Sequence, residues 1–230
     1  MCLHLVLAFI PDPTSRIDPK YSDRPNISKH RVRFQGGMIV IALGSNLTGN
    51  FGAPENALRR AVSELAASGI QILGASRIYI TRAHAYTRQP DFANAAVAVA
   101  TPLPANALLL ILKRIEAQAG RRKTKDARKP FFHWRPRPLD LDIVSYKGIV
   151  RNWKAKNPKA PRCVILPHPR AHERAFVLRP LADIAPHWHH PVLGLTAVQL
   201  LKRPAVRETG KILSSQDVCG ELPPLKRFLP

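Results

Sequence analysis

Acidic residues are scarce in this chain. Only 15 Asp and Glu stand against 36 Lys and Arg in 230 residues, a formal net charge of +21. That imbalance suits anionic partners: nucleic acid, acidic lipid or phosphorylated small molecules. A solvated basic surface fits it equally well. Cysteine is sparse too. Cys2, Cys163 and Cys219 form no CxxC pair and no Cys/His set with zinc spacing. This argues against a disulfide framework and a zinc finger, and fits a reducing compartment. No apolar run is long enough to span a bilayer. The opening MCLHLVLAFI is apolar but short, lacks a preceding positive charge, and meets Pro11 and Pro13 at once, which makes it a poor signal sequence. Internal repeats are absent, and Gly44-Ser45-Asn46 is not followed by the Gly-Lys-Ser/Thr of a P-loop.

The apolar pattern that is present predicts an ordinary packed core. Residues 1–37 carry no period and are expected to be a disordered arm, or to precede a true start at Met38. Ile39 to Leu43 is a buried-strand pattern ended by Gly44. Ala57, Leu58, Ala61, Val62 and Leu65 recur at helical spacing and predict a helix over 54–67. Residues 76–81 and 93–100 read as strands, and the helix after Pro104 runs to about residue 119 before Gly120. Residues 121–137 are crowded with Arg and Lys around Phe131, Phe132 and Trp134 and read as a mobile loop. Residues 139–146 read as a strand, and 175–184 and 197–201 as helices. The core order is therefore β-α-β-β-α-β, an α+β, ferredoxin-like arrangement with an antiparallel sheet and extra C-terminal helices. The folded domain is placed at 38–202, with 203–230 a flexible tail, so a chain cut to 38–203 is expected to keep its activity.

The sharpest local feature is Arg137-Pro138-Leu139-Asp140-Leu141-Asp142-Ile143. On a strand, Asp140 and Asp142 share one face while Leu141 and Ile143 turn to a core. Two adjacent carboxylates repel unless a cation lies between them or one is protonated. Hard oxygen ligands with few protein donors suit Mg²⁺ beside phosphate oxygens, whereas a D-x-D on a solvated strand face is the bland alternative. Gly44-Ser45-Asn46 allows close approach of backbone to a ligand, or is a plain turn. Gln89-Pro90-Asp91-Phe92-Ala93-Asn94 sets a ring beside an amide, a pairing suited to a flat heterocycle. Arg114-Ile115-Glu116, Gly120-Arg121-Arg122, Pro167-His168-Pro169-Arg170 and Arg174-Ala175-Phe176 supply guanidinium forks for phosphate, or surface decoration.

Taken in this order, the motifs resemble those of the 6-hydroxymethyl-7,8-dihydropterin pyrophosphokinase family over residues 38–201, with R-P-L-D-L-D-I as the strongest match. The resemblance implies transfer of the β,γ-diphosphate of ATP to the pterin hydroxymethyl group, with release of AMP, in folate biosynthesis. It implies two Mg²⁺ ions on Asp140 and Asp142, and Arg121, Arg137 and Asp142 in catalysis. Thr81, Phe92, Asn94, Trp134 and Phe176 would meet the pterin. Gln89, Glu116, Trp134, Arg137, Ile143, His168 and Arg174 would meet ATP. The expected agent is a cytoplasmic monomer acting on small molecules, without a membrane. Arg135 stands where the family usually has glycine, and the basic loop is longer than in compact members. A catalytically weak homologue is therefore one alternative. A basic nucleic-acid-binding protein of the same fold is the other. It is disfavoured by the missing aromatic run on the central strands and by phosphate repulsion from Asp140 and Asp142.

Overall fold

The computed structural model describes residues 37–83, 89–122, 136–153, 164–207 and 209–216. All of the expected arm over 1–37 except Gly37, the loop residues around Trp134 and Arg135, and residues 217–230 lie outside them. Strand β1 (Ile39–Ser45) leads to α1 (Pro54–Ala67), which opens on a proline and buries the five residues its periodicity singled out. Then come β2 (Gln71–Ala75), β3 (Ile78–Thr81), β4 (Phe92–Ala100), α2 (Ala105–Gln118) and β5 (Asp140–Tyr146). The chain continues through a short helical turn (Ala171–Glu173) into α3 (Ala175–Ile184), α4 (Ala197–Leu201), α5 (Pro204–Arg207) and β6 (Ile212–Gln216).

The sheet runs β5-β1-β4-β3-β6, with every pair antiparallel and β2 on the far end of β4. Strands β2 and β3 thus share one edge of β4, separated at Ser76, whose Oγ accepts from Ala96 N–H at 2.9 Å. Counted as one interrupted strand, they give the expected ferredoxin-like order. The sequence pattern had shown only the second half, because β2 buries no residue fully and has no alternation to read.

Ile39, Ile41 and Leu43 of β1 pack with Leu58, Val62 and Leu65 of α1 and with Leu108, Leu112 and Ile115 of α2. Both helices therefore lie on one face of the sheet. Alternate residues turn to the opposite face, where α3 packs and Tyr79 donates its hydroxyl to Asp183 of α3 at 2.8 Å. Strand β4 is covered on both faces, so its alanines are close-packing residues rather than a weak strand signal.

The expected flexible tail is corrected over 204–216, which holds α5 and β6. Its residues show no hydrophobic alternation because β6 is an edge strand with mostly exposed side chains.

Candidate active site

Register brings the chemistry together. Asp140 pairs with Gly44, Gly44 with Asn94, and Asn94 with Tyr79, a row of residues across four strands on the α3 face. Asp142 stands one step along, opposite Ala42. Gly44 leaves a gap in the row. A Cβ there would lie 3.4 Å from Asn94 Oδ1 and 4.0 Å from Asp140 Cβ. A cleft of about 510 Å³ opens over this face.

Asp140 is gripped by cations. Arg137 Nη1 donates to its Oδ2 at 2.7 Å and Arg121 Nη1 to its Oδ1. Burial alone would raise its carboxyl pKa, but the two guanidiniums more than reverse that and hold it below the usual range. Arg121 is itself fixed by Glu116 Oε1 at 3.0 Å, an oxygen that also takes Lys113 Nζ at 2.7 Å and Leu141 N–H at 2.8 Å. Burial pushes the Glu116 carboxyl up, against the pull of Lys113 and Arg121. Asp142 is more open, with His168 Nε2 at 3.8 Å. His168 Nδ1 accepts the Arg170 N–H at 3.1 Å, which leaves the ring proton on Nε2, facing Asp142. Burial lowers the His168 pKa, Asp142 opposes, and Arg174 adds to the lowering.

Among the described residues no three His, Cys, Asp or Glu side chains converge as metal ligands. The donor set is two carboxylates on one strand face. That fits Mg²⁺, which takes one or two carboxylates and completes its shell with phosphate and water. It would not hold zinc in an all-protein site.

The other wall is apolar and amide-lined. Asn94 Nδ2 donates to Thr81 Oγ1 at 2.8 Å, which turns its Oδ1 toward the gap at Gly44. Phe92 and Phe176 both line the cleft, and the Arg174 guanidinium carbon sits 5.7 Å from the Phe176 ring centre.

A profile of the family described as "7,8-dihydro-6-hydroxymethylpterin-pyrophosphokinase (HPPK)" matches residues 40–186. The chain belongs to this family. As an HPPK it is a pyrophosphokinase of folate synthesis. It is 33% identical over 192 residues to the 2-amino-4-hydroxy-6-hydroxymethyldihydropteridine pyrophosphokinase of Synechocystis, covering 83% of this chain and 88% of that one. It is 38% identical over 148 residues to the protein of the same name from Bacillus subtilis, covering 64% and 77%. Against the folic acid synthesis protein of Pneumocystis carinii it is 35% identical over 77% of this chain but spans only 22% of that protein. A solved HPPK-DHPS triple mutant from Plasmodium falciparum aligns with TM-score 0.50 at 16% identity, over 76% of this chain and 44% of that one, and bears on the fold alone.

Within the HPPK cleft the structure gathers Thr81, Phe92, Asn94, Arg121, Arg137, Asp140, Asp142, His168, Arg174 and Phe176. Three expected ligands stand elsewhere. Ile143 is 5% exposed in the core under the helices, as strand alternation dictates, so a nucleotide cannot meet its side chain from the cleft. Glu116 is 3% exposed and spent on Arg121, Lys113 and Leu141. Gln89 does not line the cleft; its Oε1 lies 3.5 Å from Asn46 Nδ2. Trp134 lies outside the described residues. Sequence reading missed Lys113, which lines the cleft. The available signal was its position one turn before Glu116 on α2; the neighbouring Arg114 instead reaches Ser68 Oγ at 3.3 Å.

Proposed function

We propose that this chain moves the β,γ-diphosphate of ATP to the hydroxymethyl group of 6-hydroxymethyl-7,8-dihydropterin, with Asp140 and Asp142 holding two magnesium ions. The observation that carries this reading is the row Asp140–Gly44–Asn94. A carboxylate pair, a side-chain-free gap and an outward amide oxygen stand in line on one rigid sheet face. Magnesium, when bound, neutralises phosphate oxygens and favours loss of the proton from the acceptor alcohol.

The remaining work falls to side chains. Arg121 and Arg137, anchored on Asp140, line the cleft and bring guanidinium charge to phosphate oxygens. His168 presents its Nε2–H and Arg174 its guanidinium to the same cleft. Asn94 Oδ1 accepts from an N–H of the pterin edge, and Phe92 and Phe176 enclose its ring. The hydroxyl oxygen bonds to the β-phosphorus while the bond from that phosphorus to the α-bridging oxygen breaks. AMP leaves and Asp142 takes the proton. Such a transfer asks for positioning and charge neutralisation rather than covalent help. Glu116 acts through Arg121, not by touching nucleotide. One chain supplies all of these groups, so a monomer is the acting unit in this reading, and we place it in the cytoplasm.

The test is AMP release from Mg-ATP with and without the hydroxymethyl-dihydropterin, for wild type and Asp142→Ala. Pterin-dependent AMP that disappears in the variant is expected. A folded wild-type protein that binds ATP yet releases no AMP would refute the activity, and retention on nucleic acid without ATP binding would move the function to another class.

A further inference from the structure

The segment carrying Thr209, Gly210 and Ile212 lies beyond the residues matched to the family, yet it touches both walls of the cleft. We propose that Thr209 and Gly210 are positioning residues for pterin binding: they set Phe176, while the strand that follows them sets Thr81. This rests on the reading that Phe176 and Thr81 belong to the pterin wall.

Helix α3 begins at Ala175 without a cap from its own N-terminal residue, Arg174. The cap is borrowed. Ala175 N–H donates to Thr209 Oγ1 at 2.8 Å, and the Thr209 hydroxyl donates to Val206 O at 2.7 Å. The next residue is Phe176. Its ring lies on Gly210, which is buried with φ +66°; a Cβ at 210 would come 3.0 Å from Phe176 Cδ1 and 3.4 Å from its Cβ. A cavity of about 350 Å³, lined in part by Phe176, Val206 and Thr209, adjoins this contact. With open space there, the glycine backbone is a main stop for the ring. On the other wall, Arg82 N–H donates to Lys211 O at 3.0 Å and Ile212 pairs with Thr81. Thr81 in turn holds the Asn94 amide. A few consecutive residues therefore fix the aromatic lid and the amide reader together.

None of these atoms faces Asp140 or Asp142 across a bond, so the expected signature is selective. Thr209→Val removes the borrowed cap, and Gly210→Val drives bulk at φ +66° into Phe176. Each variant should raise the KM for the dihydropterin, by about tenfold for Gly210→Val, the size of a lost aromatic stack. kcat should stay within about twofold, and the KM for ATP should rise less than that for the dihydropterin, through Arg174 beside the lost cap. Thr209→Ser keeps the hydroxyl and should behave as wild type. Phe176→Ala, run alongside, reports on the underlying reading. If Phe176→Ala leaves pterin binding unchanged, the assignment of the wall is wrong. If Phe176→Ala weakens pterin binding while Thr209→Val and Gly210→Val do not, the positioning role is refuted. Should Gly210→Val fail to fold, the comparison of Thr209→Val with Thr209→Ser decides the matter.

Discussion

Asp140 and Asp142 differ by one strand step, yet they hold unlike positions. Asp140 is paired to Arg121 and Arg137 within the cleft wall, whereas Asp142 is 38% exposed and has His168 Nε2 at 3.8 Å. Asp140→Asn should cost both activity and stability, on the order of 1–3 kcal/mol, because two guanidiniums lose a shared carboxylate. Asp142→Asn should abolish turnover with an unchanged urea midpoint. Equal stability losses in the two variants would contradict this division. The carboxylate pair itself was legible in the sequence, since strand alternation alone puts both on one face and Leu141 and Ile143 on the other. That same alternation removes Ile143 from the cleft. The inward role of Glu116 was not legible, because the burial of a helix end depends on which strand packs against it, and Lys113 had only its spacing to Glu116 as a signal.

At the scale of elements, Gly44-Ser45-Asn46 is neither a turn nor a phosphate loop: Gly44 and Ser45 close β1, and the stretch acts as a fastener. Asn46 Oδ1 accepts from Arg137 N–H at 2.9 Å, its N–H donates to Arg137 O at 3.1 Å, and Nδ2 donates to Pro90 O at 3.2 Å. Ser45 Oγ donates to Pro138 O at 2.7 Å. The end of β1 thus sews the entry of β5 to the loop before β4. Asn46→Ala strands buried backbone groups and should destabilise by about 1–3 kcal/mol, with activity falling through Arg137 as well. A midpoint equal to wild type in a urea titration would show that water replaces these bonds. Elements with a strong period were readable: α1 matches its expected span, while β1 was recognised but runs on through Gly44 to Ser45 instead of ending at Leu43. Strands β2 and β6 were not readable, since a strand with exposed, polar or small side chains carries no alternation and is specified by its partner's register instead.

At the scale of the whole molecule, buried His190 packs with His172 and Trp153, and this cluster is expected to govern stability in acid. His190 is wholly buried, with its ring centre 4.8 Å from Trp153 and 5.4 Å from His172. Its Nδ1 accepts the N–H groups of Val192 and Leu193 at 3.3 and 3.2 Å, so protonation there would break the turn that leads into α4. Burial, aided by His172, pushes the His190 pKa down to about 4 from an ordinary 6.5. The sign follows directly. Between these values the unfolded chain binds a proton that the folded chain does not, so stability is full above about pH 6.5 and falls as pH drops toward 4. At about 1.4 kcal/mol per unit, the loss across the window is roughly 3 kcal/mol. His172, also lowered chiefly by burial, acts in the same direction. Urea midpoints at about pH 7.5 and 5 should therefore differ clearly for wild type and much less for His190→Asn, which is less stable throughout but has no charge to gain. A pH slope unchanged by His190→Asn would locate the acid sensitivity elsewhere. Arg174 and Phe176 follow His172 closely along the chain, so loss of this cluster should disorder the aromatic wall of the cleft before the sheet that holds Asp140 and Asp142 gives way.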